Sequence, residues 1–241
     1  SAGVGCEDTY RQPADGGGQR LRRTSRGGYR RMTPFTQHRG VALPLLRDNI
    51  DTDAIIPSRE MRTVSRSGLS AGLFAPWRYL DPDARTLNPD FALNQSEYTG
   101  ASILLAGDNF GCGSSREHAV WALMESGFRV IIASSFATIF RNNALRNGLL
   151  TVALEQHDLD ELVDWVSVDP AAHRIQLDLE ACSIEFDPER DKKVFSVDPT
   201  ARDMLLNGLD EIGLTEQSMD LVARFEEQDQ ARRPWVYLPS D

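Results

Sequence analysis

Apolar residues in this chain gather into short dense runs: VALPLL at 41–46, AIIP at 54–57, ASILLA at 101–106, RVIIAS at 129–134 and LLTVAL at 149–154. Bounded by turn-forming residues, the first and the last three of these runs predict buried strands. The first is broken by the turn-rich RDNIDTD at 47–53, and AIIP resumes as a buried run ended by Pro57. Between the later runs the spacing becomes helical. REHAVWALMESG at 116–127 predicts a helix closed by Gly127, and SFATIFRNNALRNG at 135–148 predicts another that turns Phe136, Ile139, Phe140 and Ala144 to one face. Strand alternating with helix predicts a parallel sheet, whose ligands bind at the carboxyl ends of the strands. The glycine-bearing loop GDNFGCGSS at 107–115 falls at such an end.

Beyond Leu154 the pattern changes. HRIQLDLEACSIEF at 173–186 and KVFSV at 193–197 predict antiparallel strands, followed by short helices near 200–207 and 216–228 with Gly208 and Gly213 between them. The fold class is therefore α/β, a three-layer body with an acidic C-terminal β plus helix extension, read as one folding unit over 32–241.

Two segments carry no period. Residues 58–100 form an expected lid or binding loop, with Arg59, Arg62, Arg66 and Arg78 among Leu69, Leu73, Phe74 and Trp77. That mixture suits a substrate with ionic and apolar parts, and it equally suits packing against the body. Residues 1–31, rich in Gly, Arg, Ser and Gln, are expected to be a disordered basic leader. Met32 reads as a natural start, which makes the leader an expected start-site artefact.

Composition narrows the function classes. At 241 residues, 41% hydrophobic and 26% charged, the chain is neither collagenous nor wholly disordered. No window has the roughly 18 apolar residues of a membrane span and no signal-peptide pattern opens the chain, so a cytoplasmic home is expected. Cys6, Cys112 and Cys182 lie far apart without a C-x-x-C pair, which fits a reducing compartment and makes a poor metal set. The net charge of −10 is uneven, +5 over residues 1–40 and −14 over 155–241. An acidic body repels a phosphate backbone, so no nucleic-acid partner is expected.

The candidate chemistry centres on GCGSSREH at 111–118. Ser114 and Glu117 stand in the S-x-x-E relation of a capping box, so Ser114 has a purely structural reading as a helix cap worth about 1 kcal/mol. The alternative is an anion pocket. Gly111 and Gly113 open a strand-to-helix junction that aims backbone N–H groups and the helix dipole at one spot, while Ser114, Ser115 and Arg116 add hydroxyls and a bidentate carboxylate binder. The spacing is neither that of a triphosphate loop nor G-x-G-x-x-G nor G-x-S-x-G. Cys112 as a nucleophile would need a base, and the nearest candidate, His118, belongs to the helix.

DNIDTDAIIP at 48–57, NPDFALN at 88–94, GASILLAGDNFGCGSSREHAVWAL at 100–123, SFATIFRNNALRNGLL at 135–150 and LLNGLDEIGLT at 205–215 occur in an order and spacing that closely resemble bacterial small subunits of 3-isopropylmalate dehydratase. The resemblance runs from Met32 to the helix near 228. It implies the swivelling β/β/α domain of the aconitase superfamily and conversion of 2-isopropylmalate to 3-isopropylmalate through isopropylmaleate, in leucine biosynthesis. It also implies Ser114 as the catalytic base, Ser115 and Arg116 as holders of a substrate carboxylate, and Thr52 and Asp53 as further substrate-binding positions. Turn capping is the competing reading for Asp51 and Asp53.

Dehydration needs a base for the proton α to a carboxylate and a Lewis acid for the hydroxide. Cysteines at 6, 112 and 182 do not have aconitase-type cluster spacing, so no metal or cofactor is expected on this chain. The 4Fe–4S cluster is expected on a large subunit, the partner that the resemblance implies alongside a small dicarboxylate substrate. The apolar set Leu69, Leu73, Phe74 and Trp77 is the expected contact for the isopropyl group. Two rivals stand beside this reading: the small subunit of a sister hydro-lyase acting on homoaconitate, citraconate or dimethylmaleate, and a non-catalytic anion- or RNA-binding protein on the same fold.

Overall fold

The computed structural model describes residues 32–61 and 66–237. The expected leader at 1–31 and Arg62 lie outside the described residues. The chain opens with β1 (Gln37–Leu45), α1 (Thr52–Ile55), α2 (Ala75–Arg78), β2 (Tyr79–Asp81) and β3 (Thr86–Leu87). The alternating region follows as β4 (Ala101–Ala106), α3 (Glu117–Glu125), β5 (Val130–Ala133), α4 (Thr138–Asn147), β6 (Leu150–Ala153) and α5 (Gln156–Val168). It ends with β7 (Ile175–Asp178), β8 (Ser183–Glu185), β9 (Lys193–Val194), α6 (Pro199–Asn207), α7 (Glu211–Gln217) and α8 (Met219–Arg232).

Seven strands form one sheet in the order β6-β5-β4-β1-β7-β8-β9. Pairing is parallel from β6 to β1 and antiparallel from β1 to β9, as the two halves of the sequence predict. Leu45, Ala106, Ala133 and Ala153 stand in register at the ends of the four parallel strands, so their carboxyl ends share one edge. Because successive strand side chains point to opposite faces, Leu104 and Ala106 join one core and Ile103 and Leu105 the other. The first core is closed by Ala119, Val120, Ala122 and Leu123 of α3 and by Phe140 and Ala144 of α4. The second is closed by Leu159, Leu162 and Val166 of α5 and Leu205 of α6. The result is a helix, sheet, helix sandwich.

Two elements go beyond the sequence expectations and two expectations are corrected. AIIP is buried at Ile55 and Ile56 as expected, and its first two residues close the short helix α1, which the Asp51 carboxylate caps by accepting from Ala54 N at 2.6 Å. The helix α5 was not expected, although Leu159, Leu162, Val163 and Val166 carry the i, i+3, i+4, i+7 spacing. In α4 Phe140 and Ala144 are buried, whereas Ile139 is 53% exposed. Finally, Leu69, Leu73 and Phe74 are buried in the first core with Trp77 packed against them, so this set is not available to a substrate. Phe74 adopts φ +51, donates its N–H to Ile55 O at 2.8 Å and stacks on Trp77, which fixes the loop under α1.

Candidate functional site

The site lies at the shared carboxyl edge of the parallel strands. Past the ends of β1 and β4 the two segments meet again at an isolated parallel bridge between Asp51 and Cys112, where Gly111 N donates to Ile50 O at 2.7 Å and Thr52 N to Cys112 O at 2.9 Å. On its other side the same loop is held by Phe110 N to Ser135 O at 3.1 Å and Ala137 N to Phe110 O at 3.0 Å. Residues 110–112 are therefore clamped between two neighbours. Gly111 has φ +77, and a Cβ there would stand 2.2 Å from Phe140, so only glycine fits. The dipeptides Asp48-Asn49 and Asp108-Asn109 clasp one another below this clamp, through Asp108 N to Asp48 Oδ1 and Asn109 Nδ2 to Asn49 Oδ1, both 2.8 Å.

Above the clamp, Thr52, Gly111, Gly113, Ser114 and Arg116 meet Ala137, Thr138, Ile139, Phe140 and Asn143 around a cleft of about 220 Å³. One wall is polar and the other, from the start of α4, is largely apolar. Thr52 is 2% exposed and its hydroxyl donates to Ser114 O at 3.0 Å. Arg116 donates through Nη1 to Asp53 Oδ1. Asp53 remains half in solvent while the Arg116 side chain is 19% exposed, so the guanidinium is held against the body by an acid at the cleft mouth.

The expected capping box does not form. No side chain caps the N-terminus of α3, where Arg116 occupies the cap position in extended conformation. Glu117 instead accepts from Asn147 Nδ2 at 2.8 Å and from Trp121 Nε1 at 3.2 Å, tying the first turn of α3 to the last turn of α4. Ser114 and Ser115 are both exposed, Ser114 lining the cleft and Ser115 lying outside it. The structure thus brings Ser114, Arg116, Asp53 and Thr52 together. Sequence reasoning missed the α4 wall, although α4 follows β5 at the same strand edge and that topology was the available signal.

One titratable group near the site is displaced from its ordinary value. Burial, and then the Asp51 carboxylate, push the Cys112 thiol up, which disfavours the thiolate that a nucleophile or metal ligand needs. His118 faces Trp121, with ring centroids 4.7 Å apart. Among the described residues no three His, Cys, Asp or Glu side chains converge to hold a metal ion, so those residues do not fit an iron–sulfur cluster. Nor is any described helix long and apolar enough to cross a membrane.

Comparison with known proteins agrees with this fold. The Aconitase C-terminal domain family matches residues 32–157. A 3-isopropylmalate dehydratase small subunit from Cupriavidus necator is 54% identical over 207 residues, which span 86% of this chain and 99% of the relative. One of the same description from Methylibium petroleiphilum is 47% identical, covering 85% of this chain and 97% of its own. The crystal structure of a 3-isopropylmalate dehydratase from Methanocaldococcus jannaschii superposes with a TM-score of 0.55 at 26% identity, over 78% of this chain and 99% of that one.

Proposed function

The chain belongs to the family of 3-isopropylmalate dehydratase small subunits, and on that premise we propose that it forms half of the active site that isomerises 2-isopropylmalate to 3-isopropylmalate by dehydration and rehydration. The observation that carries the reading is the convergence of Ser114 and of Arg116, itself paired with Asp53, on a cleft whose opposite wall is largely apolar. Such a cleft has a place for a carboxylate, a place for a proton acceptor and a place for an alkyl arm.

Ser114 is the base. Acting as the alkoxide, which Arg116 and the loop N–H groups stabilise, its oxygen takes the proton α to a carboxylate in the forward step and so becomes the hydroxyl, which gives a proton back in rehydration. Arg116 keeps one edge on Asp53 and offers its remaining N–H groups to a substrate carboxylate, so Asp53 orients the fork. Ser115 supplies a second hydroxyl once the mouth is closed. Thr52 acts on the backbone, holding the Ser114 carbonyl, because its own proton is already committed there. Closure by a partner would exclude water and strengthen the interaction between Arg116 and a developing negative charge. In place of the buried 69–77 set, Ala137, Ile139 and the edge of Phe140 receive the isopropyl group.

Acceptance of the hydroxide falls to the large subunit, which we assign as carrier of the 4Fe–4S cluster. Two densely packed faces on one sheet support reading 32–241 as a single folding unit, and the free thiols of Cys112 and Cys182, the cysteines among the described residues, support a cytoplasmic setting. The sister hydro-lyases are not favoured, since both bacterial relatives carry the isopropylmalate name. The test is reconstitution. The chain alone should be iron-free and inactive, and should turn over 2-isopropylmalate, in preference to homoaconitate, citraconate or dimethylmaleate, when mixed with an iron-loaded 3-isopropylmalate dehydratase large subunit. Turnover without that subunit, or stoichiometric iron in the isolated chain, would contradict the reading.

A further inference from the structure

The C-terminal helices pose a question that the cleft does not answer. In α8, 14 residues long, no side chain is buried. An isolated helix of that length is marginal in water, and helices in proteins owe most of their stability to packing an apolar face. Such a face exists in α8: Leu221 is 65% and Phe225 62% exposed, one helical turn apart, with Val222 between them. The chain then folds back. Arg233 Nε and Nη2 donate to Asp229 at 2.8 Å and Tyr237 Oη donates to Asp229 Oδ2 at 3.1 Å, which sets a helical turn at Pro234–Val236 beside the end of α8. That turn exposes Trp235 at 75%.

The position of this hairpin indicates what covers it. Along α4, Ile139, Asn143 and Arg146 follow one another at i, i+4 and i+7 and so occupy one face. Ile139 and Asn143 line the cleft, and Arg146 is bonded at 3.1 Å to Glu211, the first residue of α7. One surface therefore runs from the cleft mouth up α4 to α7, whose Ile212 is also exposed, and on to α8. Whatever closes the cleft meets that surface next.

We infer that the arm made by α7, α8 and the turn at Pro234–Val236 is the docking surface for the large subunit, with Leu221, Phe225 and Trp235 as its apolar anchors. This rests on the functional reading above, in which the large subunit closes the cleft. Between Asp210 and Tyr237 the chain has seven acidic residues against three arginines. The matching surface on the partner is thus an apolar groove with a basic rim, a combination in which aromatic anchors supply affinity and the rim charges supply orientation and rate of encounter.

The test is Leu221→Gln combined with Phe225→Gln in the full-length chain. Neither side chain is buried, so the thermal midpoint of the isolated subunit should not move. Titrated into iron-loaded large subunit, the double variant should need at least about tenfold more protein to reach half-maximal activity, with the plateau rate retained, because its cleft is intact. Calorimetric titration of the two subunits should show the same weakening, and it should diminish for wild type when salt screens the rim. An unchanged midpoint of the activity titration would overturn the proposal. So would a wild-type chain that self-associates through this face, seen as a dimer that the double variant converts to monomer while affinity for the large subunit is unaltered. Failure of the wild-type chain to bind any large subunit would instead sink the functional reading on which the proposal rests.

Discussion

The Thr52 hydroxyl donates to the backbone carbonyl of Ser114 at 3.0 Å, across 62 residues of sequence. It joins the first residue of α1 to the loop that carries the proposed base, and Thr52 is almost wholly buried there. Thr52→Val keeps the shape and removes the donor. We expect it to cost about 0.5 to 1.5 kcal/mol in chemical denaturation, the usual net worth of one hydrogen bond, and to lower the kcat of reconstituted enzyme by about tenfold or more as the serine loses its register. Thr52→Ser should restore both. A Val variant with wild-type kcat would show that the bond is structural only.

Ser114 is separable from helix capping because α3 has no side-chain cap. Ser114→Ala and Ser114→Asn should each change stability by less than about 0.5 kcal/mol, as for an exposed surface position. Both should cut the rate of the assembled enzyme by at least about 100-fold, the lower end of general-base effects. Steady-state kinetics at saturating large subunit decide the matter, and retained turnover in the Asn variant would remove Ser114 from the mechanism.

The two glycines of the loop should respond differently to alanine. Gly111 combines φ +77 with a Cβ position 2.2 Å from Phe140, whereas Gly113, at φ +87, has nothing closer than 3.4 Å. Gly111→Ala should cost about 2 to 5 kcal/mol, strain and overpacking together, and Gly113→Ala only about 1 to 2 kcal/mol from its backbone conformation. Thermal denaturation of the pair measures the difference; equal losses would mean that Phe140 yields freely.

Stability should also depend on pH through Glu125. Its carboxylate accepts from Gly68 N at 2.6 Å, Leu69 N at 2.5 Å and Ser70 N at 2.9 Å, anchoring the loop beneath the site to the end of α3. Partial desolvation pushes this carboxyl up, but the three N–H groups together outweigh it and hold the group below its usual value of 4.5. A carboxyl lowered in the folded state stabilises above its unfolded pKa and loses that contribution as pH falls through the folded one. Wild type should therefore exceed Glu125→Gln in unfolding free energy at pH 7, and the gap should close on acidification below about 4.5. A gap that stays constant to low pH would show that the carboxylate's charge contributes nothing.

Much of this architecture was legible locally. Strands at 101–106, 129–134 and 149–154 are apolar on both faces, and a run with no polar side has no other stable home than the middle of a covered sheet. The parallel order and the placement of the 107–115 loop at a strand's carboxyl end followed from the alternation, and Ser114, Arg116, Asp53 and Thr52 from motif. What each side chain does there was decided by distant partners. The S-x-x-E spacing was sufficient for a capping box, yet Glu117 is drawn to Asn147, 30 residues on, and leaves Ser114 free in the cleft. Leu69, Leu73 and Phe74 could have faced a substrate, until Glu125 and the floor of α1 turned their loop inward. Local pattern determines which segments must be covered, because burial acts on a residue's own surface. Which of two polar partners a side chain takes is set by whatever the closed chain brings within about 3 Å, since a hydrogen bond weakens steeply beyond that reach.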